Sequence, residues 1–380
     1  MTQRASFPAV ADDPQRQARL RRLARVRAVL GTLRYRRVRT FCLFIGYARS
    51  GSSLVGSLLD AHRHALVAQE LDALGFVADG WQRSELFALI EINARQFTRR
   101  GREWTGYDYD VPGQWQGRTR ELRVIGDKKA NRCTTRLMRR PDLLDRLRDR
   151  VRVPLRFVHV VRNPFDNITT RLRRQPVKRS LPETIERYFR LARSVDAVRD
   201  RVGPHALLDV RHEDLIADPA ATLARVCDFV GLDAPDDYLA DAASIVAKRP
   251  RRTRHQADWP PQLVREVEAR CADHSALADY VFDRCPLRSV GVCRSRARRS
   301  SLDAVAGSCH DGRRAFGGRG ARRVRRTGCR TSSIHSSRCR SVRADPGPTW
   351  SATRCANCAS ATRRVRSSPR ATWPGRCSSG

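Results

Sequence analysis

Lysine is nearly missing from this chain. Four occur in 380 residues (Lys128, Lys129, Lys178 and Lys248), although lysine and arginine together number 75. The basic excess is therefore almost all arginine, and against 39 acids it leaves a formal charge of +36. Such a field attracts any polyanion, whether nucleic acid, sulfated sugar or phosphate. Long apolar runs are missing too. The longest, such as residues 41–46 and 157–161, have strand length and are too short to span a bilayer. Residues 1–40 are basic and polar, without the apolar stretch of a secretory signal, so the expected compartment is the cytoplasm. No cluster of metal ligands is visible, and no metal is expected. Cys355 and Cys358 resemble half a zinc site, but no second well-spaced pair accompanies them.

What is present divides the chain in two. Between residues 40 and 283, apolar runs at 41–45, 65–69, 122–125, 155–161 and 206–210 alternate with helical patterns. That alternation predicts an α/β domain whose mostly parallel sheet is covered on both faces. Helices are expected over 181–201, 219–230 and 261–272, the last two opening on proline, whose missing N–H costs nothing there. Cys42, Cys133, Cys227 and Cys271 sit among apolar neighbours and read as reduced core residues. Residues 1–39 form a basic extension, with Leu and Val at helical spacing among arginines over 15–39. Residues 284–380 differ from all of this. They contain no Lys or Glu, 23 Arg, three Asp and eight of the twelve Cys, and so carry +20 of the net charge. Such a stretch buries too little apolar surface to offset its ordering entropy. It reads as a disordered tail, a nucleic-acid arm or an out-of-frame end of the gene. The last is favoured because composition breaks abruptly where a domain would finish.

Two stretches carry chemistry. In residues 41–60 a buried strand runs into Gly46-Tyr-Ala-Arg-Ser-Gly-Ser-Ser53 and then a helix of apolar period. A small-residue loop there aims backbone N–H groups and a helix dipole at one point, which makes an anion site. Gly46 and Gly51 have the spacing of a nucleotide-triphosphate loop, yet Ser52 stands where that loop needs lysine, and Arg49 precedes the glycine instead. The plain alternative is a strand–turn–helix with serines as N-cap. In residues 156–174 a second buried strand ends in Arg162, followed by Asn-Pro and a helix carrying Thr170 and Arg174 on one face. An arginine fork, a hydroxyl and a second arginine suit a dianionic phosphate. A surface ion pair for Arg162 and a solvent-facing hydroxyl for Thr170 are the plainer readings of each alone.

Together these motifs resemble those of the sulfotransferase superfamily, over about residues 40–283. The resemblance implies a three-layer fold of the P-loop type. It also implies transfer of a sulfuryl group from 3′-phosphoadenosine 5′-phosphosulfate (PAPS), leaving adenosine 3′,5′-bisphosphate (PAP). Ser50, Gly51, Ser52 and Ser53 would hold the 5′-phosphate, and Arg49 would neutralise charge on the departing oxygen. Arg162 and Thr170 match the 3′-phosphate positions, and Arg174 a further basic position of some branches. Val-Ile-Gly-Asp-Lys128 resembles a strand–Gly-Asp-Lys pattern, which would bring Lys128 to the sulfate, although Lys129 and Ala130 depart from the commoner Thr and Pro. Glu70, at the end of the second strand, matches the candidate general base, with His62 and His159 as rivals and a helix N-terminal carboxylate as the plain alternative. Arg252 and Arg254 lie in a basic segment resembling the one that closes over the nucleotide.

The implied acceptor, a small molecule, carbohydrate or peptide, is unidentified; Trp104, Tyr107, Tyr109 and Trp115 are candidates to stack on it or to pack the core. Two other functions compete with this one. A nucleotide kinase of the same fold would want the absent loop lysine. A nucleic-acid-binding protein would rest on the tail and total charge, with contacts that ignore sequence.

Overall fold

The computed structural model describes residues 14–174 and 179–283. The arginine-rich tail, with Cys355 and Cys358, lies outside the described residues. In chain order the first elements are α1 (Pro14–Leu30), α2 (Thr32–Tyr35), β1 (Thr40–Gly46), α3 (Ser52–Asp60), β2 (Ala65–Gln69), α4 (Ala73–Ala78) and α5 (Arg83–Arg99). A two-stranded hairpin follows, β3 (Glu103–Trp104) and β4 (Tyr107–Asp108), then β5 (Val124–Lys128), α6 (Ala130–Arg139), α7 (Leu143–Val151) and β6 (Leu155–Val161). The remainder is α8 (Pro164–Arg174), α9 (Leu181–Val202), β7 (Leu207–Arg211), α10 (His212–Ala217), α11 (Pro219–Val230), α12 (Asp236–Ser244), a 3-10 turn (Thr253–Gln256) and α13 (Pro261–Ala272).

Five strands form one sheet in the order β2-β5-β1-β6-β7, every neighbour parallel. Side chains alternate across it, as the period of two requires. Phe41, Leu43, Ile45, Ile125 and Phe157 join a core with α5, α6, α7 and α9, while Cys42, Phe44, Val124, Val158 and Val160 join one with α3, α11 and α12. A third cluster packs α8, α9 and α13 around Tyr47 and Val161. These are the two covered faces that the apolar strands demand.

The third run was expected at 122–125, but β5 extends to Lys128. Two polar residues stay in the sheet because their partners are internal. Asp127 accepts from the N–H groups of Leu71 and Ala73, and Lys128 pairs with Glu70. Gly126 fits because a Cβ there would stand 2.2 Å from the Cys42 carbonyl oxygen. The N-terminal helix α1 docks on α5, burying Ala24 and Ala28, while Glu91 of α5 gathers Arg27, Arg34 and the Tyr35 hydroxyl.

Candidate functional site

The site is built on the edge where the strands end, the side on which parallel sheets bind ligands. β1 and β6 are neighbours with Gly46 opposite Val160. The 47–51 turn and Arg162 therefore leave the sheet side by side, about 5 Å apart as adjacent strands are.

The turn after β1 is shaped by its glycines. Gly46 has φ 108°, and a Cβ on it would stand 2.5 Å from the His159 ring. Its N–H donates to Thr134 Oγ1 at 2.7 Å. Ser50 is fully buried and donates to the Tyr47 carbonyl at 3.0 Å, so its hydroxyl braces the turn from inside. Arg49 and Gly51 are left-handed, at φ 71° and 100°. α3 then starts at Ser52 with no side-chain cap on its first turn. Uncapped N–H groups at a helix start are what an anion binds.

Glu70 and Lys128 meet beneath that helix start because β2 pairs with β5, Gln69 opposite Lys128. Lys128 is 1% exposed. It passes Gly56 of α3, where a Cβ would stand 2.7 Å from Lys128 Cγ. Its ammonium donates to Ser53 Oγ at 2.7 Å and to Glu70 Oε1. Lys129 reaches the other oxygen of Glu70 at 2.9 Å. Burial pushes the Glu70 carboxyl up, but the two lysines outweigh it and hold the pKa below the usual carboxylate value. Burial pulls Lys128 down from the usual lysine value, against the pull of Glu70. Asp127 is driven up to about 7, chiefly by burial. Its bonds to Leu71 and Ala73 fix the backbone just after Glu70, itself left-handed at φ 58°. The rival histidines lie inside the fold. His159 binds Asp209 at 2.8 Å, and His62 accepts from the His64 N–H.

Arg162 is buried at the end of β6 and donates to the Arg251 carbonyl. Thr170 lies 2.9 Å from the Thr253 hydroxyl, which itself donates to the Asp166 carbonyl, so Thr253 ties α8 to the 251–256 segment that Arg162 touches. The other arginines named with them differ in burial. Arg174 and Arg252 are exposed. Arg254 was expected to touch the nucleotide. Instead it is 2% exposed, with its guanidinium bound to Asp166 at 2.8 Å and to the Phe282 carbonyl at 2.5 Å. It anchors the segment from within.

Two residues at the site, His212 and Thr253, escaped the sequence reading. His212 begins α10 directly after β7. A Cβ on Gly51 would stand 2.6 Å from its Nδ1, an atom without a partner, and the charge of Arg162 acts on the same ring. His212 thus lies between the two anion motifs, its pKa pushed down to about 4 by burial and by Arg162. The rule that flagged Arg162, a polar residue at a strand end, would have flagged it. Thr253 carries no local signal. Tyr107 does more than stack or pack, since its hydroxyl accepts from Arg251 at 3.0 Å. Its neighbour Tyr109 is buried among Tyr107, Ser53 and Arg49 and raised to about 12.

Among the described residues no group of three His, Cys, Asp or Glu gathers as a metal site, and no helix is long and apolar enough to cross a membrane. Residues 43–236 match the model of a family described as the sulfotransferase family. Similar solved structures include a sulfotransferase domain from the curacin biosynthetic pathway, 14% identical, covering 62% of this chain and 98% of that one at a TM-score of 0.43. Another is a sulfotransferase from Alicyclobacillus acidocaldarius, 16% identical, with coverages of 64% and 97% and a TM-score of 0.38. A third is retinol dehydratase in complex with androsterone and inactive cofactor PAP, 13% identical, with coverages of 67% and 86% and a TM-score of 0.32. No curated protein matches the chain.

Proposed function

This chain belongs to the sulfotransferase family, and we propose that its sulfuryl donor is PAPS, held at both phosphates along the edge where β1 and β6 end. One observation carries the reading: the 47–51 turn and Arg162 leave neighbouring strands on the same side, with His212 between them. A nucleoside bisphosphate has anionic groups at its two ends, and a cleft with one anion site beside the other suits it. The 5′-phosphate lies on the N–H groups of residues 50–53 at the start of α3. The 3′-phosphate lies against Arg162 and the Thr170 and Thr253 hydroxyls. Displacing the Arg251 carbonyl frees the Arg162 fork for it.

Transfer is in line. A lone pair of the acceptor hydroxyl or amine attacks sulfur, the bond from sulfur to the bridging oxygen breaks, and PAP departs with the electron pair. Arg49 and Lys128 offset the charge on the bridging and equatorial oxygens. Glu70 takes the acceptor proton. Its two lysine partners hold it ionised, so it is available as a base at neutral pH, and Lys128 must turn from it toward the sulfate for the proton to arrive. No step needs a metal. The cytoplasm suits the four buried cysteines, which are unpaired thiols. Ser52 in the loop's lysine position speaks against the kinase reading.

Titration calorimetry with PAP tests this directly. We expect one site per chain, and sulfate transfer from radiolabelled PAPS without added metal. Absence of PAP binding to the folded protein would remove the reading.

A further inference from the structure

The first helix reverses the usual arrangement of small and large residues. Ala24 and Ala28 are buried against the domain, while Leu23, Val26, Val29, Leu30 and, in α2, Leu33 face solvent at between 60% and 77% exposure. These are five of the seven large apolar side chains exposed among the described residues. A surface helix normally turns its bulky aliphatics inward, and a cluster of them facing out marks a surface that meets an apolar partner. Leu23, Val26 and Leu30 follow one another at steps of three and four and so share one face. Poor docking does not explain the reversal, because the inner side is well held. Arg25 pairs with Glu85 at 2.9 Å, and Arg21 lies over the Trp81 ring at 4.8 Å. Buried Glu91 gathers Arg27 and Arg34 and accepts from the Tyr35 hydroxyl at 2.6 Å. The outer face is therefore in place before a partner arrives, which lowers the ordering cost of binding.

The same face is cationic. Residues 14–39 hold ten arginines and no acid. Arg19 and Arg22 precede Leu23 and Val26 by one helical turn and so stand among the aliphatics. Both are exposed, as is Arg36 beyond Leu33, and none of the three makes an ion pair among the described residues.

An occupant must meet both demands. Nucleic acid would neutralise the arginines and leave the aliphatics in water. A second copy of this chain would cover the aliphatics but set arginine against arginine. A peptide helix wants a groove, whereas these aliphatics project from a helix. A bilayer with acidic headgroups meets both demands. The aliphatics enter the acyl boundary, and the arginines bind lipid phosphates while their stems stay in the apolar layer. We propose that α1 and α2 seat this protein on an anionic membrane surface, with Leu23, Val26, Leu30 and Leu33 inserted and Arg19 and Arg22 on the phosphates. The helix lies in the interface and does not cross it. The assignment goes beyond the sulfotransferase reading and does not rest on it.

The test is co-sedimentation of the full chain with vesicles at physiological salt. One set holds equal parts phosphatidylcholine and phosphatidylglycerol, the other phosphatidylcholine alone. Binding to the anionic set is expected to be at least ~10-fold tighter. The arginines of residues 284–380 also attract anionic vesicles, so the deciding variant leaves every charge in place. Leu23→Gln with Val26→Gln and Leu30→Gln should weaken binding to the anionic set about tenfold or more. Leu23→Ile with Val26→Leu and Leu30→Ile should retain it, which guards against a folding effect. Four results would overturn the proposal. They are no binding to anionic vesicles, equal binding to neutral ones, and unchanged binding in the glutamine variant, which would leave the charge alone responsible. The fourth is a dimer in sedimentation velocity that the glutamine variant dissolves, which would assign the face to a second copy.

Discussion

Arg49 is held in a left-handed conformation inside the loop, a strained position for a side chain without a local hydrogen-bonding group. The strain is intelligible if the guanidinium must stand over the bridging oxygen. Arg49→Ala should lower turnover at least ~100-fold while PAP still binds; an unchanged rate with radiolabelled PAPS would deny it that role. His212 makes a second expectation. Its pKa is about 4 in the free protein, below the ordinary value of about 6.5, so it is neutral near pH 7. A bound polyanion favours the protonated ring and raises that pKa. PAP should therefore bind more tightly as pH falls from about 6.5 toward 5, with proton uptake visible as buffer-dependent binding enthalpy. His212→Asn should flatten the dependence. The same depressed pKa contributes stability that is present above about pH 6.5 and is lost as pH falls toward 4. His212 follows β7 directly and carries the same strand-end signal as Arg162. Thr253 was not legible as a site residue, because it reaches α8 from far along the chain by a contact that local pattern does not encode. Arg49 and Arg162 were legible because a loop after an apolar strand, and an arginine at a strand end, are local patterns.

The elements were legible where one kind of residue filled them. β2, β6, α11 and α13 run where the apolar periods and helix-start prolines place them. β5 was displaced because Asp127 and Lys128 interrupt its apolar pattern, and only the neighbouring strand and the segment after Glu70 supply what makes them tolerable inside. The docking of α1 on α5 was hidden for the opposite reason: the sequence shows a basic extension, while Glu91, the partner of Arg27, lies on another helix far along the chain. At this scale α3 is tested by Gly56. Alanine there would meet Lys128 Cγ at 2.7 Å. Gly56→Ala should cost about 1–3 kcal/mol in urea denaturation, as overpacking does. Lys128→Ala in the same chain should recover most of that cost, a non-additivity that reads the contact itself. Additive costs would mean that the lysine does not pass this glycine.

For the whole molecule the net charge of +36 is a poor guide to function, because +20 of it belongs to residues 284–380. Ending the chain at Asp283 should leave PAP affinity unchanged and weaken non-specific nucleic-acid binding at low salt, read by the slope of affinity against salt. Retained nucleic-acid binding would move the basic surface into the α/β domain. The clasp of Lys128 and Lys129 on Glu70 bears on the enzyme between turnovers. On the PAPS reading proposed above, a Glu70 still held by both lysines is a poor acceptor for a proton from water, so hydrolysis of PAPS in the absence of an acceptor should be slow.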